Sequence, residues 1–310
     1  MFQKNGTDAT TVCLTIARAA TGKRKILVAS RAYHGSSPWC TPSPAGVTAE
    51  DRAHLIHFVY NDVASLEAAA DAAGNDLAGV MVSAFKHDIG VDLELPTREF
   101  AQRVRALCTA KGAALMLDEV RAGYRLHAAG SWEPLGVRPD LSAWSKAIAN
   151  GHALAAVAGT DALRDAATRI FSTGSFWAGG VAMAAALATL DLAEHEQLIP
   201  HLERMGNRFR QGIAEQALAH GVKLRQSGPV QMPLILFDDD PRCEKGIAFC
   251  AAALQRGVYL HPRHNMFLCL AHGEQEMDRA LEATQGAFED IVNARFSCVE
   301  GGPVPSQARQ

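Results

Sequence analysis

Between Lys23 and Gly151 short apolar runs alternate with amphipathic segments, and this alternation constrains the fold more than any other feature of the chain. KILVAS, AGVMVSA, AALMLDEV and DLSAWSKA have the length and apolar content of buried strands. VASLEAAADAAG and REFAQRVRALCTAKG, lying among them, repeat their apolar residues at helical spacing. Apolar strands separated by helices predict βαβ units around a mostly parallel sheet, an α/β fold. From Gly179 the alanine-rich GGVAMAAALATLDLAEHEQL runs into HLERMGNRFRQGIAEQALAHG, and Pro200 is expected to break the two helices. Beyond Gly221, VKLRQSG, MPLILFD, EKGIAFCAAALQRG, the strand-like NMFLCLAH and EQEMDRALEATQGAFEDIV predict a compact α+β unit. The expected organisation is a large domain over residues 1–195, a small α+β domain over 196–298, and a disordered tail over 299–310.

The chain has 310 residues, 48% of them hydrophobic and 20% charged, enough apolar material for a sizeable core. Lys+Arg (30) nearly balance Asp+Glu (33) without a long run of one sign, which gives no electrostatic reason for a nucleic-acid or membrane partner. The expected partner is a small molecule. Seven scattered cysteines with no CxxC pair read as reduced thiols in a cytoplasm. No apolar stretch has membrane-spanning length, and MFQKNGTDATT lacks the basic-then-apolar layout of a signal peptide.

Two strand ends carry candidate chemistry. Asp118 closes the apolar run Leu115, Met116, Leu117, and Lys146 follows LSAWS before the turn-prone ANG. Ligands of open α/β sheets bind at the carboxyl ends of strands, so adjacent ends would bring one acid and one amine to one pocket. A pyridoxal-phosphate (PLP) site needs that pair: an amine to bond the aldehyde and a carboxylate to keep the pyridine nitrogen protonated. A strand-end salt bridge uses the same two residues. Gly6 and Thr7 precede a helical pattern over Thr10 to Ala20 whose free N–H groups would favour an anion, or simply be capped. Tyr33, in AYHGSSPWC, could stack on a flat ring or lie half-buried in a loop.

The order of these pieces resembles the class III aminotransferases, a PLP-dependent family of fold type I, and within it the glutamate-1-semialdehyde aminomutase branch. NGTDAT with ARAATGKRKI resembles the family's phosphate-binding helix start, AYHG its aromatic-His-Gly segment, LDEVRAGYR its Asp-Glu-Val strand end, and RPDLSAWSKAIANG its lysine segment. STGSFWAGGVAMAAALATL resembles the loop and helix that reach a neighbouring subunit's cofactor, and LCLAHGEQEMDRAL the carboxyl-terminal signature of the aminomutase branch. The resemblance implies a homodimer with PLP bonded to Lys146 and its pyridine nitrogen held by Asp118. It also implies Tyr33 and Val120 on the two ring faces, phosphate held by Gly6 and Thr7, and Ser175 completing the partner subunit's phosphate site. His34 stands at a motif position without an assigned role. The implied reaction moves an amino group from a small amine or amino acid to an oxo acceptor.

Several positions depart from that pattern. Ser83 and Ala84 stand where the family often has Glu-Pro, and Arg121 stands where a glutamine commonly approaches the cofactor's phenolic oxygen, so an inward-pointing Arg121 would favour the phenolate. His264 takes the place of the aminomutase glutamate, which speaks against an intramolecular amino shift. Family members also carry a long segment before the Gly-Thr motif, so the chain is expected to be incomplete at its front, with weakened PLP binding. A non-catalytic fragment of the same fold is the reading from a different class.

Overall fold

The computed structural model describes residues 1–293; the tail expected to be disordered lies outside them. The chain runs through β1 (Phe2–Gln3), α1 (Gly6–Thr21), β2 (Lys25–Ala29), α2 (Ala49–Arg52), β3 (Leu55–Phe58), α3 (Val63–Ala73), β4 (Leu77–Ser83), α4 (Arg98–Lys111), β5 (Ala114–Asp118), β6 (Leu141–Trp144) and β7 (Ala155–Gly159). It continues through α5 (Arg164–Arg169), α6 (Gly180–His195), α7 (Leu198–Ala219), β8 (Leu224–Ser227), β9 (Leu234–Phe237), α8 (Glu244–Gln255) and α9 (Glu274–Asn293).

Seven strands form one sheet in the order β1-β7-β6-β5-β4-β2-β3, with β3, β2, β4, β5 and β6 parallel and β7 and β1 antiparallel to their neighbours. Alternate side chains feed two cores, as a pleated strand requires. Leu27, Val80, Val82, Leu115 and Leu117 pack under α3 and α4 with Leu66, Phe100 and Val104. Ile26, Val28, Met81, Ala114 and Met116 pack under α1 with Val12, Cys13 and Ile16. Further along, α7, α8 and α9 bury Phe209, Ile213, Phe249 and Phe288 with Ile235 and Phe237 of the antiparallel β8-β9 pair. The fold is therefore the expected α/β architecture with a smaller α+β part after it.

Four details differ from the sequence reading. Helix α1 starts at Gly6, earlier than the pattern over Thr10 to Ala20 suggests, because the Asn5 side chain accepts from the Asp8 N–H and caps it. The break between α6 and α7 falls at Glu196–Gln197, where Gln197 is left-handed (φ 47°). Pro200 sits inside the first turn of α7, where its missing N–H has no helical acceptor to lose. NMFLCLAH is extended but forms no strand: Met266 donates to the Pro233 carbonyl (2.8 Å) and Leu268 to that of Gln231 (3.1 Å), while Pro233 has no N–H to return. Finally β1, β3 and β7 add to the four strands read between Lys23 and Gly151; the alanine- and glycine-rich AAVAG of β7 carries little β signal, and its position follows from the connection after β6 that reverses the chain.

Candidate active site

Strands β5 and β6 are parallel neighbours with Asp118 opposite Ala143, so Asp118 and the turn containing Lys146 leave the sheet at one edge. The amino terminus of α1 comes to the same edge. A cavity of about 650 Å³ opens there, lined by Gly6, Thr7, Tyr33, His34, Asp118, Val120, Arg121 and Lys146 among others. All the site residues expected within one subunit thus meet. Ser175 does not line this cavity; it is exposed in the turn before α6.

Asp118 is buried, and its two oxygens are held by different donors. His34 donates from Nδ1 to Oδ2 at 2.8 Å, and the Val120 N–H donates to Oδ1 at 3.0 Å. Burial pushes this carboxyl up, but the His34 hydrogen bond and charge and the Val120 amide outweigh it, and its pKa lies below the ordinary value. The Thr10 hydroxyl donates to the His34 carbonyl (2.7 Å), and the imidazole stacks on Trp39. His34 Nε2 is buried without a partner among the described residues.

At the other end of the cavity Gly6 and Thr7 occupy the first two positions of α1, where amides have no intrahelical acceptor and the helix dipole favours an anion. A Cβ on Gly6 would lie 2.6 Å from Val120 Cγ1, so only glycine lets the helix start approach Val120. Thr7 Oγ1 accepts from the Ser36 N–H (3.2 Å), tying the loop after Tyr33 to the helix.

Lys146 is left-handed (φ 49°) in a turn that throws its side chain off the strand line toward the cavity. Burial lowers its pKa, and the charges of Arg121 and Arg125 lower it further against the opposing pull of Asp118. The neutral amine, the form that attacks an aldehyde or takes a proton, becomes more accessible. Arg121 does point inward. It lines this cavity and an adjoining one of about 660 Å³ that also takes in Arg31, Trp39, His87, His264 and Phe267. Burial and the Arg121 charge push the pKa of His87 down to about 3, so it is neutral. Ser83 is buried at the end of β4 with its hydroxyl unpartnered among the described residues, and its carbonyl accepts from the Tyr60 hydroxyl (3.2 Å).

The donor set fits PLP. An ionised, buried carboxylate stands for the pyridine nitrogen, an amine of lowered pKa for the aldehyde, and a helix start with free amides for the phosphate. Val120 presses against Gly6 at one side of that space. Sequence reasoning placed these groups but missed what holds them. The role of His34 was invisible because it depends on an 84-residue contact, although its motif position was a signal. His87 gave none.

The sequence model of the aminotransferase class-III family matches residues 1–288. The chain is 45% identical over 307 residues to the aminopentol aminotransferase of Sphingopyxis macrogoltabida, covering 99% of this chain and 72% of that protein. It is 31% identical over 314 residues to the glutamate-1-semialdehyde 2,1-aminomutase of Syntrophobacter fumaroxidans, covering 92% of this chain and 71% of that one. Among solved structures, the FumI protein of Sphingopyxis sp. MTA144 in its PLP internal aldimine form superposes with a TM-score of 0.93 at 46% identity, over 94% of this chain and 70% of that chain. The chain belongs to the aminotransferase class-III family and is a PLP-dependent aminotransferase.

Proposed function

We propose that Lys146 is the lysine that carries PLP and Asp118 the partner of its pyridine nitrogen, with Gly6 and Thr7 at the phosphate and Tyr33 and Val120 on the two ring faces. Ser175 completes the phosphate site of the partner subunit in a homodimer. The cofactor, when bound, supplies an electron sink for the substrate carbon that loses a proton. The chain's own residues do the rest. Ionised Asp118 keeps the pyridine nitrogen protonated, and His34 and the Val120 amide fix its orientation. Lys146, its pKa lowered by burial and neighbouring arginines, removes the proton and returns it two atoms away, across the amino nitrogen, in a 1,3-shift. The free amides of Gly6 and Thr7 anchor the phosphate and so fix the reacting end beside Lys146.

The reaction is transfer of an amino group from a primary amine to an oxo acceptor, and the donor is an amino alcohol of the aminopentol kind. The name of the 45% identical relative supports that donor over glutamate 1-semialdehyde, and so does His264 in the place of the aminomutase glutamate. The same reading divides the chain into domains at the Glu196–Gln197 break and places it in the cytoplasm, to which its free thiols are suited.

The meeting of Lys146, Asp118 and the α1 amino terminus in one cavity carries this assignment. Borohydride reduction of the PLP-loaded protein followed by peptide mapping is expected to place the pyridoxyl group on Lys146; a label on another lysine overturns it. Incubation with an aminopentol and a 2-oxo acid separates transfer from an intramolecular shift, because only transfer yields an aminated acceptor.

A further inference from the structure

Arg121 is 9% exposed, and among the described residues no carboxylate pairs with it. Its Nη1 donates to the Oδ1 of Asn265 and to the Nε2 of His264 (3.1 Å). Both acceptors are neutral. Asn265, 3% exposed, is oriented by its own Nδ2, which donates to the Met266 carbonyl at 3.1 Å. His264 Nδ1 lies 2.6 Å from the Asn265 carbonyl, which can only accept, so the proton is on Nδ1 and Nε2 is free to accept from the arginine. The ring of Phe267 lies under the guanidinium, 5.9 Å from its carbon. Arg121 Nε and Nη2 have no protein acceptor among the described residues, and the residue lines both cavities.

A buried guanidinium is normally paired, since desolvation of an unpaired charge is costly. Here the protein fixes the cation in place without neutralising it. We propose that Arg121 is an oxyanion-binding residue of the site and that His264 and Asn265 are the positioning residues that hold it. The oxyanion has two sources with the same chemistry, the phenolate of the cofactor and a carboxylate of the substrate. Other charged or titratable groups near Arg121 are Asp118, Lys146, Arg125, Tyr33 and His87. Asp118 attracts it from a distance but makes no ion pair or hydrogen bond with it among the described residues; its contacts are with His34 and Val120.

This inference rests on the PLP site proposed above, whose failure shows separately as loss of the label at Lys146. The test compares PLP-loaded wild type with Arg121→Gln, His264→Glu and His264→Gln. The readouts are the pH midpoint of the cofactor's absorbance change and the dissociation constant of acetate, a carboxylate with no group that can react. His264→Glu keeps the arginine in place but neutralises it, whereas His264→Gln keeps a neutral acceptor. If the oxyanion is the phenolate, Arg121→Gln and His264→Glu raise the midpoint by about one pH unit, since a cation beside an anion had held it down. If it is a substrate carboxylate, the same two variants weaken acetate by about tenfold, the worth of one charge-assisted hydrogen bond. His264→Gln is expected to follow wild type in whichever readout moves. No change in either readout for Arg121→Gln overturns the binding role. A change for Arg121→Gln that His264→Glu fails to reproduce, or that His264→Gln also shows, overturns the role given to His264.

Discussion

Burial pushes Asp118 and Glu119 up and their hydrogen-bond partners pull both down, but the balance falls on opposite sides in the two acids. Asp118 is held ionised by His34 and the Val120 amide. Glu119 receives the Ser131 N–H and hydroxyl, each at 2.6 Å, yet burial prevails and its pKa is pushed up to about 7 from an ordinary 4.5. An acid whose folded pKa is raised binds more protons in the native state between those two values, so its contribution falls as pH rises from 4.5 to about 7. Glu119→Gln keeps both contacts with Ser131 and removes the charge. It is expected to match wild type in stability near pH 5 and to exceed it at pH 8 by up to about 3 kcal/mol, read from denaturant melts at the two pH values; equal stabilities at pH 8 would show that Glu119 is not held against ionisation. Asp118→Asn is expected to retain PLP, because the phosphate and Lys146 contacts remain, while proton removal in a single-turnover experiment slows by orders of magnitude. Near-wild-type turnover would remove Asp118 from its role. At this scale the sequence disclosed Asp118 and Lys146 because each ends an apolar run. It did not disclose the roles of His34 or Ser131, whose bonds to these acids depend on loop paths that no periodicity encodes.

The amino terminus of α1 depends on one glycine. The Gly6 Cα faces Val120, and any Cβ would stand 2.6 Å from its Cγ1, so Gly6→Ala must push the helix start or the Val120 side chain aside. The first-turn amides would then leave the position proposed for them at the phosphate. PLP affinity is expected to fall about tenfold, the cost of a weakened charge-assisted contact, with an unchanged far-UV spectrum because the Asn5 cap remains. Unaltered affinity would mean that the approach to Val120 is not needed. In the core, Phe100 is fully buried in α4 against Phe58, Tyr60 and Trp132. Phe100→Ala is expected to cost about 3–5 kcal/mol in urea unfolding. Elements such as α4 were legible because their apolar spacing matches the helix period and Thr97 and Gly112 cap the ends. The weak strand β7 was not, since its place comes from pairing with β6 and β1 rather than from its own residues.

Arg121 and His264 are 143 residues apart, and no local pattern links them. Both were visible as departures from the family pattern, but that they touch is a property of the whole fold. Ala84, Phe85, Leu93, Ala122, Met232, Leu234 and Leu236 form the shared cluster that brings β9 and the segment beside it against the end of the main sheet. The proposed role of Ser175 belongs to a larger scale still. In one chain it lies away from the cavity, in a turn between Phe171 and Val181, and Phe171, Phe176 and Val181 are 94, 84 and 72% exposed. So much open apolar surface around one hydroxyl suits a face covered by a second copy. If Ser175 serves the neighbour, each site needs Lys146 from one subunit and Ser175 from the other. Ser175→Asp would repel the phosphate and Lys146→Ala would remove the amine, so each homodimer is expected to be nearly inactive. Mixed after mild unfolding and refolding, the two variants form heterodimers in which one site combines wild-type Lys146 with wild-type Ser175 while the other site carries both substitutions. Activity should therefore return on mixing, in proportion to the heterodimer fraction measured by mass spectrometry. Were Ser175 to act within its own subunit, every heterodimer site would carry one substitution, and mixing would restore nothing.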